Sequence, residues 1–280
     1  MGARLVVILL DFLKALRTNL AYIIWFLFYF LLFMLATNGY AIYFYLVTIP
    51  LALLPLAEGF WRIINGIRPL RLQAEKERLL PLFKEAYEGA IKVNPALSKG
   101  IKLYVHKDMD INAFAFGKRT MILTRGSIEL LSDDCIKGLM AHEFGHFSHK
   151  HTQAVLLSTI GNLPMVLVLK VLFGLKEHIS KEEAKSSFVM KGFRALYSII
   201  YYFFKGIDLI GELILMHTSR KHELQADKFA MESGLGEELV LVLREINQVG
   251  MEKKQSIKER LRNSHPHITR RIEALESSMD

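Results

Sequence analysis

From Thr18 to Ala57 the chain runs for 40 residues without one Asp, Glu, Lys or Arg. The pair Asn38-Gly39 is a turn signal inside this block and divides it into Leu20–Ala36 and Tyr40–Ala57. Each half is near the lower limit of the roughly 17 to 25 residues that cross a bilayer. The pattern predicts a transmembrane hairpin. No small-residue cleavage pattern follows a short apolar core, so the hairpin is expected to stay in the mature chain. Arg4, Lys14 and Arg17 precede it, Arg62, Arg68, Arg71, Lys76 and Arg78 follow it, and the connecting loop is uncharged. By the positive-inside rule both flanks are expected at the cytoplasm.

Two further apolar stretches, Thr152–Leu175 and Ala195–Met216, are less pure. The first contains Lys170 and the second Lys205, Asp208 and Glu212. On one continuous helix turning about 100° per residue, Lys205, Asp208, Glu212, Met216, Ser219 and Glu223 form one stripe. Charges within membrane helices face protein or water rather than lipid. The stripe is therefore expected to face a helix bundle, with Lys170 or Lys205 offsetting Asp208 or Glu212. An amphipathic helix lying on the membrane surface is the alternative. If both stretches span, the loop carrying Lys176, Lys181, Lys185, Lys191 and Arg194 lies outside, against the positive-inside preference. Between the two pairs of spans the polarity changes. Ile101–His106 alternates apolar and polar, Met121–Thr124 is a second strand candidate, and Asn112–Phe116 lies between them, predicting a small β-sheet.

This periodicity gives four segments: 1–57 with the hairpin, 58–151, a second pair of helices in 152–216, and 217–280. The overall 51% hydrophobic and 23% charged residues average over these populations and describe neither. The net charge of +8 is explained by the basic flanks of membrane helices, and no basic patch interleaved with aromatics suggests nucleic acid. A single cysteine, Cys135, excludes a disulfide framework and a thiolate metal cluster.

The chemistry concentrates at Ala141-His142-Glu143-Phe144-Gly145-His146, just before the third apolar stretch. Two histidines four apart on a helix project from one face, so both imidazoles can meet one zinc ion. The intervening glutamate can reach a water there as general base. Ser132 is the expected N-cap, Asp133 and Asp134 suit the positive end of the helix, and Ile136, Leu139 and Met140 supply an apolar face. Gly145 weakens that helix, which is understandable if another segment approaches closely. A short H-E-x-x-H also arises by chance on charged helices. The next histidines, His149 and His151, are expected at the surface near the membrane boundary, although His149 shares a face with His146. Cys135 lies two turns before His142 and is expected to be packed. A catalytic zinc site needs a third protein ligand and an open position. Glu223 in Ser219–Asp227 is the strongest candidate, and Asp227, four residues on, can orient an imidazole from behind. The charge-dense segment Glu252–Arg262 is expected to be a solvated helix.

Several segments in the same order resemble the HtpX and CAAX prenyl protease family of integral-membrane zinc metallopeptidases, of the gluzincin group. They are Asn112-Ala113-Phe114-Ala115, the approach Leu131–Asp134 to the HEFGH helix, Ser219–Asp227, and His265-Pro266 followed by Arg270-Arg271-Ile272. The resemblance implies a mainly α membrane protein with four transmembrane helices and an α+β zincin-type metallopeptidase domain containing a small β-sheet. It implies one zinc ion held by His142, His146 and Glu223, Glu143 as catalytic base, Asp227 behind the ligands and His265 near the metal. Arg220, and Arg270 or Arg271, are implied in ion pairs at the site or in holding the transition-state oxygen. Asn112, Ala113, Phe114 and Ala115 are implied as an edge strand on which a substrate backbone pairs. The activity implied is endopeptidase cleavage of membrane or unfolded proteins at the cytoplasmic face of a multi-pass plasma or inner membrane protein, in protein quality control. Polypeptides and the bilayer are the expected partners. A prenyl protease is the alternative, though the spans are few for a large helical chamber; a non-catalytic zinc-containing scaffold is a further one.

Overall fold

The computed structural model describes residues 17, 19–53, 55–180, 188–251 and 268–279. The expected turn is present: α1 (Leu20–Ala36) and α2 (Ala41–Leu53) are joined through Asn38 and Gly39, both at positive φ, 49° and 90°. The second half of the uncharged block differs from the sequence expectation of one segment to Ala57. A separate helix, α3 (Pro55–Ile64), opens on Pro55, a residue that suits the first helical position because it needs no hydrogen-bond partner for its nitrogen.

Helix α3 ties the apolar hairpin to the sheet. Its Glu58 carboxylate accepts from the Lys118 backbone N–H at 2.7 Å and the Thr120 hydroxyl at 2.9 Å. Trp61 stacks on Phe116 with ring centroids 3.9 Å apart, and Arg62 lies over the Tyr104 ring. Phe60, Ile63 and Ile64 point the other way and are exposed.

The sheet has four strands, β1 (Arg68–Pro69), β2 (Lys102–His106), β3 (Ala113–Phe116) and β4 (Thr120–Thr124), in the order β1-β2-β4-β3. It is mixed: β2 and β4 are parallel, and the β1–β2 and β3–β4 pairs are antiparallel. The two strand candidates of the pattern and the edge strand implied by the resemblance are found within a residue of their expected bounds; the short β1 was not expected. Helix α4 (Gln73–Val93) precedes β2, and α5 (Arg125–Leu130) follows β4.

Helix α6 (Asp133–Ser148) sits at the centre of the core and carries the HEFGH residues. Ser132 caps it as expected, its hydroxyl accepting from the Cys135 N–H at 3.3 Å. Ile136, Met140 and Phe144 are fully buried, among Leu79 and Ala86 of α4, Leu123 of β4 and Phe229. Cys135 is buried, as expected for a packing residue. The remaining helices are α7 (His151–Ser180), α8 (Phe188–Glu232), α9 (Gly236–Met251) and α10 (Ile268–Met279). Leu239 and Leu243 of α9 and Leu275 of α10 complete the core around α6.

A second apolar cluster joins Trp25 and Tyr29 of α1 to Met165 of α7. There the helices approach closely, because a Cβ on Gly161 would lie 3.2 Å from the Cα of Phe26. Small residues at such crossings are characteristic of apolar helix pairs. Among the described residues one helix, α7, is long and apolar enough to cross a membrane by length and composition, over His151–Val171; α1 and α2 are apolar but shorter. Helix α8 has ample length, and Lys205, Asp208 and Glu212 interrupt its apolar part. Lys170 and Lys205 are exposed. The side chains of Asp208 and Glu212, on which the expected pairing turns, lie outside the described set, as do residues 252–262.

Candidate metal centre

Helix α6 delivers His142, Glu143 and His146 as one face of a helix whose other faces are packed, and α8 delivers Glu223 and Asp227 one turn apart. That α8 is continuous from Phe188 to Glu232 is what the stripe from Lys205 to Glu223 required. The two helices cross at Gly145. A Cβ there would sit 2.7 Å from the Cα of Ala226, so glycine is required because the backbone of α8 occupies the place of its side chain. This close approach brings the donor atoms together.

His142 Nε2 and His146 Nε2 are 3.2 Å apart, and the Glu223 carboxylate oxygens lie 3.5 Å from the first and 3.4 Å from the second. One ligand atom from each of the three residues falls within 4.8 Å of the others. His142 and Glu223 are buried and His146 is partly buried. Two imidazole nitrogens and one carboxylate form the donor set of a catalytic zinc site with one position left for water, so these residues fit that ion.

Behind the ligands lies a buried ion-pair network. Asp227 Oδ1 is 2.9 Å from His142 Nδ1. Arg271, from α10, holds the same carboxylate bidentately, donating from Nε to Oδ2 at 2.8 Å and from Nη2 to Oδ1 at 2.6 Å, and its Nη1 lies 3.2 Å from Glu223 Oε2. Burial by itself would raise the Asp227 pKa, but the bonds from His142 and Arg271 outweigh it and hold the carboxyl below its usual range. Burial would likewise favour neutral His142, yet its bonds to Asp227 and Glu223 push its pKa up to about 10.

Of the three arginines singled out by sequence, Arg271 enters the site. Arg270 is exposed, and so is Arg220, which makes no contact with the cluster among the described residues. Arg220 lies on the exposed face of α8, two positions from the buried His222. Glu143 is buried. His265 lies outside the described residues.

His151 also departs from expectation. Instead of a surface residue it is buried at the start of α7, its Nδ1 3.1 Å from His146 Nδ1 and its Nε2 3.0 Å from Gln225 Oε1. Its ring stacks on His222 at 3.7 Å. The cause is the turn at Lys150, whose φ of 59° folds α7 back beneath the end of α6. Helical spacing continued through this turn gives the wrong face. His149 Nδ1 instead contacts the Gly145 carbonyl at 2.9 Å.

Strand β3 is an edge of the sheet, and α6 packs against it. The Thr124 N–H donates to the Asn112 carbonyl at 3.1 Å, and the Asn112 N–H donates to the Thr124 hydroxyl. Asn112 thus faces β4. With Ala113 opposite Leu123 and Ala115 opposite Met121, antiparallel alternation turns the backbone N–H and C=O groups of Ala113 and Ala115 to the outer edge. The Asn112 side chain is exposed, so its backbone fixes the start of the strand.

Residues 82–279 match the family described as Peptidase family M48. A CAAX prenyl protease 1 homolog from Dictyostelium discoideum is 26% identical over 172 residues, covering 59% of this chain and 39% of that protein. A Protease HtpX homolog from Desulfotalea psychrophila is 24% identical over 192 residues, 62% of this chain and 66% of the relative; one from Bacillus subtilis is 22% identical over 247 residues, 79% of each. The chain thus covers less than two thirds of the length of the first two relatives. The crystal structure of S. mikatae Ste24p superposes with a TM-score of 0.54 at 22% identity, covering 95% of this chain and 65% of that one, a likeness of fold. With the family match spanning most of the chain and enclosing all three candidate ligands, the protein belongs to peptidase family M48.

Proposed function

We propose that this protein is an integral-membrane zinc endopeptidase that hydrolyses peptide bonds of membrane or unfolded proteins at the cytoplasmic face, in protein quality control. The observation that carries the reading is the convergence of His142, His146 and Glu223 on one point, backed by Asp227 and Arg271. The three residues would hold one zinc ion. Bound there, zinc supplies Lewis acidity that polarises the scissile carbonyl and makes water a competent nucleophile at neutral pH. Glu143, adjacent to His142 on α6, takes the proton from the attacking water and passes it to the leaving nitrogen. Arg271 and Asp227 hold His142 with its Nε2 turned to the site. The outward backbone groups of Ala113 and Ala115 pair with an extended substrate, and their small side chains leave room for it. His265 is the further histidine that would approach the metal.

The membrane part of the reading rests on four helices: the hairpin α1–α2, α7, and the apolar part of α8. Both flanks of the hairpin are then cytoplasmic, with the peptidase part on that side. The alternative substrate is a prenylated peptide, which the name of the Dictyostelium relative favours. Glu143→Gln tests the chemistry: the purified variant should retain zinc and lose cleavage of an unfolded protein. Normal cleavage by that variant would overturn the assignment. Offering the wild type an unfolded protein beside a prenylated peptide separates the two substrate classes.

A further inference from the structure

The two imidazoles of the cluster are held from behind in different ways. His142 has a carboxylate, Asp227, at its Nδ1. His146 has instead a second imidazole, His151 Nδ1 at 3.1 Å, whose far nitrogen lies 3.0 Å from the amide oxygen of Gln225. An amide oxygen only accepts hydrogen bonds, and a neutral imidazole has one donor and one acceptor nitrogen. His151 therefore donates from Nε2 to Gln225, and its Nδ1 carries the lone pair. The proton between the two histidines then belongs to His146 Nδ1. That leaves the His146 Nε2 lone pair directed to His142 Nε2 and Glu223, where a metal would be held.

We propose that His151, fixed by Gln225, is a positioning residue that sets the tautomer and ring orientation of His146 as a metal ligand. The inference rests on the zinc reading of the site and adds a role for residues outside it. Three elements cooperate: His146 is on α6, His151 opens α7 and Gln225 is on α8. The ring plane of His151 is locked by its stack on His222, with centroids 3.7 Å apart and planes 6° from parallel, and His222 stacks in turn on Tyr22 of α1. The stack fixes the plane of the His151 ring, and the contact of Nε2 with Gln225 fixes which edge of that plane faces His146, since a half-turn of the ring would keep the stack but lose that contact. Partners that hold the second nitrogen of a metal-bound histidine contribute about 10- to 100-fold in metal affinity.

The test uses full-length protein purified in detergent, with zinc affinity read by competition against a chelator and geometry by the visible absorption of the cobalt-substituted protein. His151→Phe keeps an aromatic face for His222 and removes the acceptor; it should bind zinc about 10- to 100-fold more weakly and alter the cobalt spectrum. His151→Gln, whose amide oxygen can accept from His146, should recover part of that affinity. Gln225→Leu, at a half-buried position, should weaken zinc binding with less effect on folding. Wild-type affinity and an unchanged cobalt spectrum in His151→Phe would overturn the proposal. If His151→Phe does not fold, unchanged affinity in Gln225→Leu overturns it equally. Failure of the wild type to bind zinc would instead overturn the underlying zinc reading and remove the basis of the proposal.

Discussion

His142, Glu143, His146, Glu223 and Asp227 could be singled out because helix geometry turns spacings of four into shared faces. Arg271 could not be separated from Arg270 in this way, since the choice depends on how α10 is rotated against α6 and α8. The structure resolves it in favour of the buried residue. Breaking a buried ion pair by removing one partner leaves the other uncompensated, at a cost of about 3–5 kcal/mol. Arg271→Leu should therefore lower unfolding stability by about that amount, measured by chemical denaturation in detergent, and lose zinc as well. His142 gives a pH signature. Its pKa in the metal-free fold is raised from 6.5 to about 10, so the proton stabilises the folded state. That contribution is fully present below pH 6.5 and is lost as pH rises toward about 10. Chelator-stripped protein should lose stability between these limits, and His142→Gln should flatten the profile. The same proton must leave when a metal binds, so zinc uptake at pH ~7 should release about one proton per ion and strengthen with pH.

Among the elements, α6 was legible in full: cap, acidic first turn, apolar face and the reason for Gly145. The partner at that glycine was not legible, because close approach of two helices distant in sequence leaves only a small residue as its trace. Gly145→Ala gains about 1 kcal/mol of helix propensity but places a methyl 2.7 Å from the Ala226 Cα. Overpacking of this kind costs about 1–3 kcal/mol. Because Ala226 lies between Glu223 and Asp227, the displacement acts on the site directly; thermal unfolding should show net destabilisation, and zinc binding should weaken. That β3 is an edge followed from the family resemblance and not from the residue pattern, while the short β1 left no periodic signal in two residues. Proline at Ala115 removes an outward N–H without touching the ladder to β4, and edge strands tolerate it. It should impair cleavage far more than zinc content; equal loss of both would mean that the strand holds the fold and not the substrate. His151 was misread because a single left-handed residue at Lys150 changes the direction of the chain without altering its composition.

For the whole molecule, hydropathy distinguished an apolar hairpin and two impure stretches from a more polar remainder. Helix lengths were less legible: Pro55 starts α3 inside the uncharged block, and α8 runs through both the impure stretch and the ligand segment. Apolar and catalytic parts are joined. Asn19 donates to the His149 carbonyl at 3.1 Å, and Tyr22 stacks on His222, so α1 touches the turn and the helix that frame the site. The proposed four-span arrangement can be checked by cysteine labelling, since the one native cysteine is buried. Probes across residues 176–194 should react from the outer side, and uniform labelling from the cytoplasmic side would contradict two spans in 152–216.

In the proposed function two helices, crossing at Gly145, bring His142, His146 and Glu223 to one zinc ion. The metal content of purified wild-type protein beside Glu223→Gln tests it most directly. Close to one zinc per wild-type chain is expected, and little in the variant, whose amide is a poor ligand. A variant holding zinc as the wild type does, or a wild type that takes up none, would contradict it.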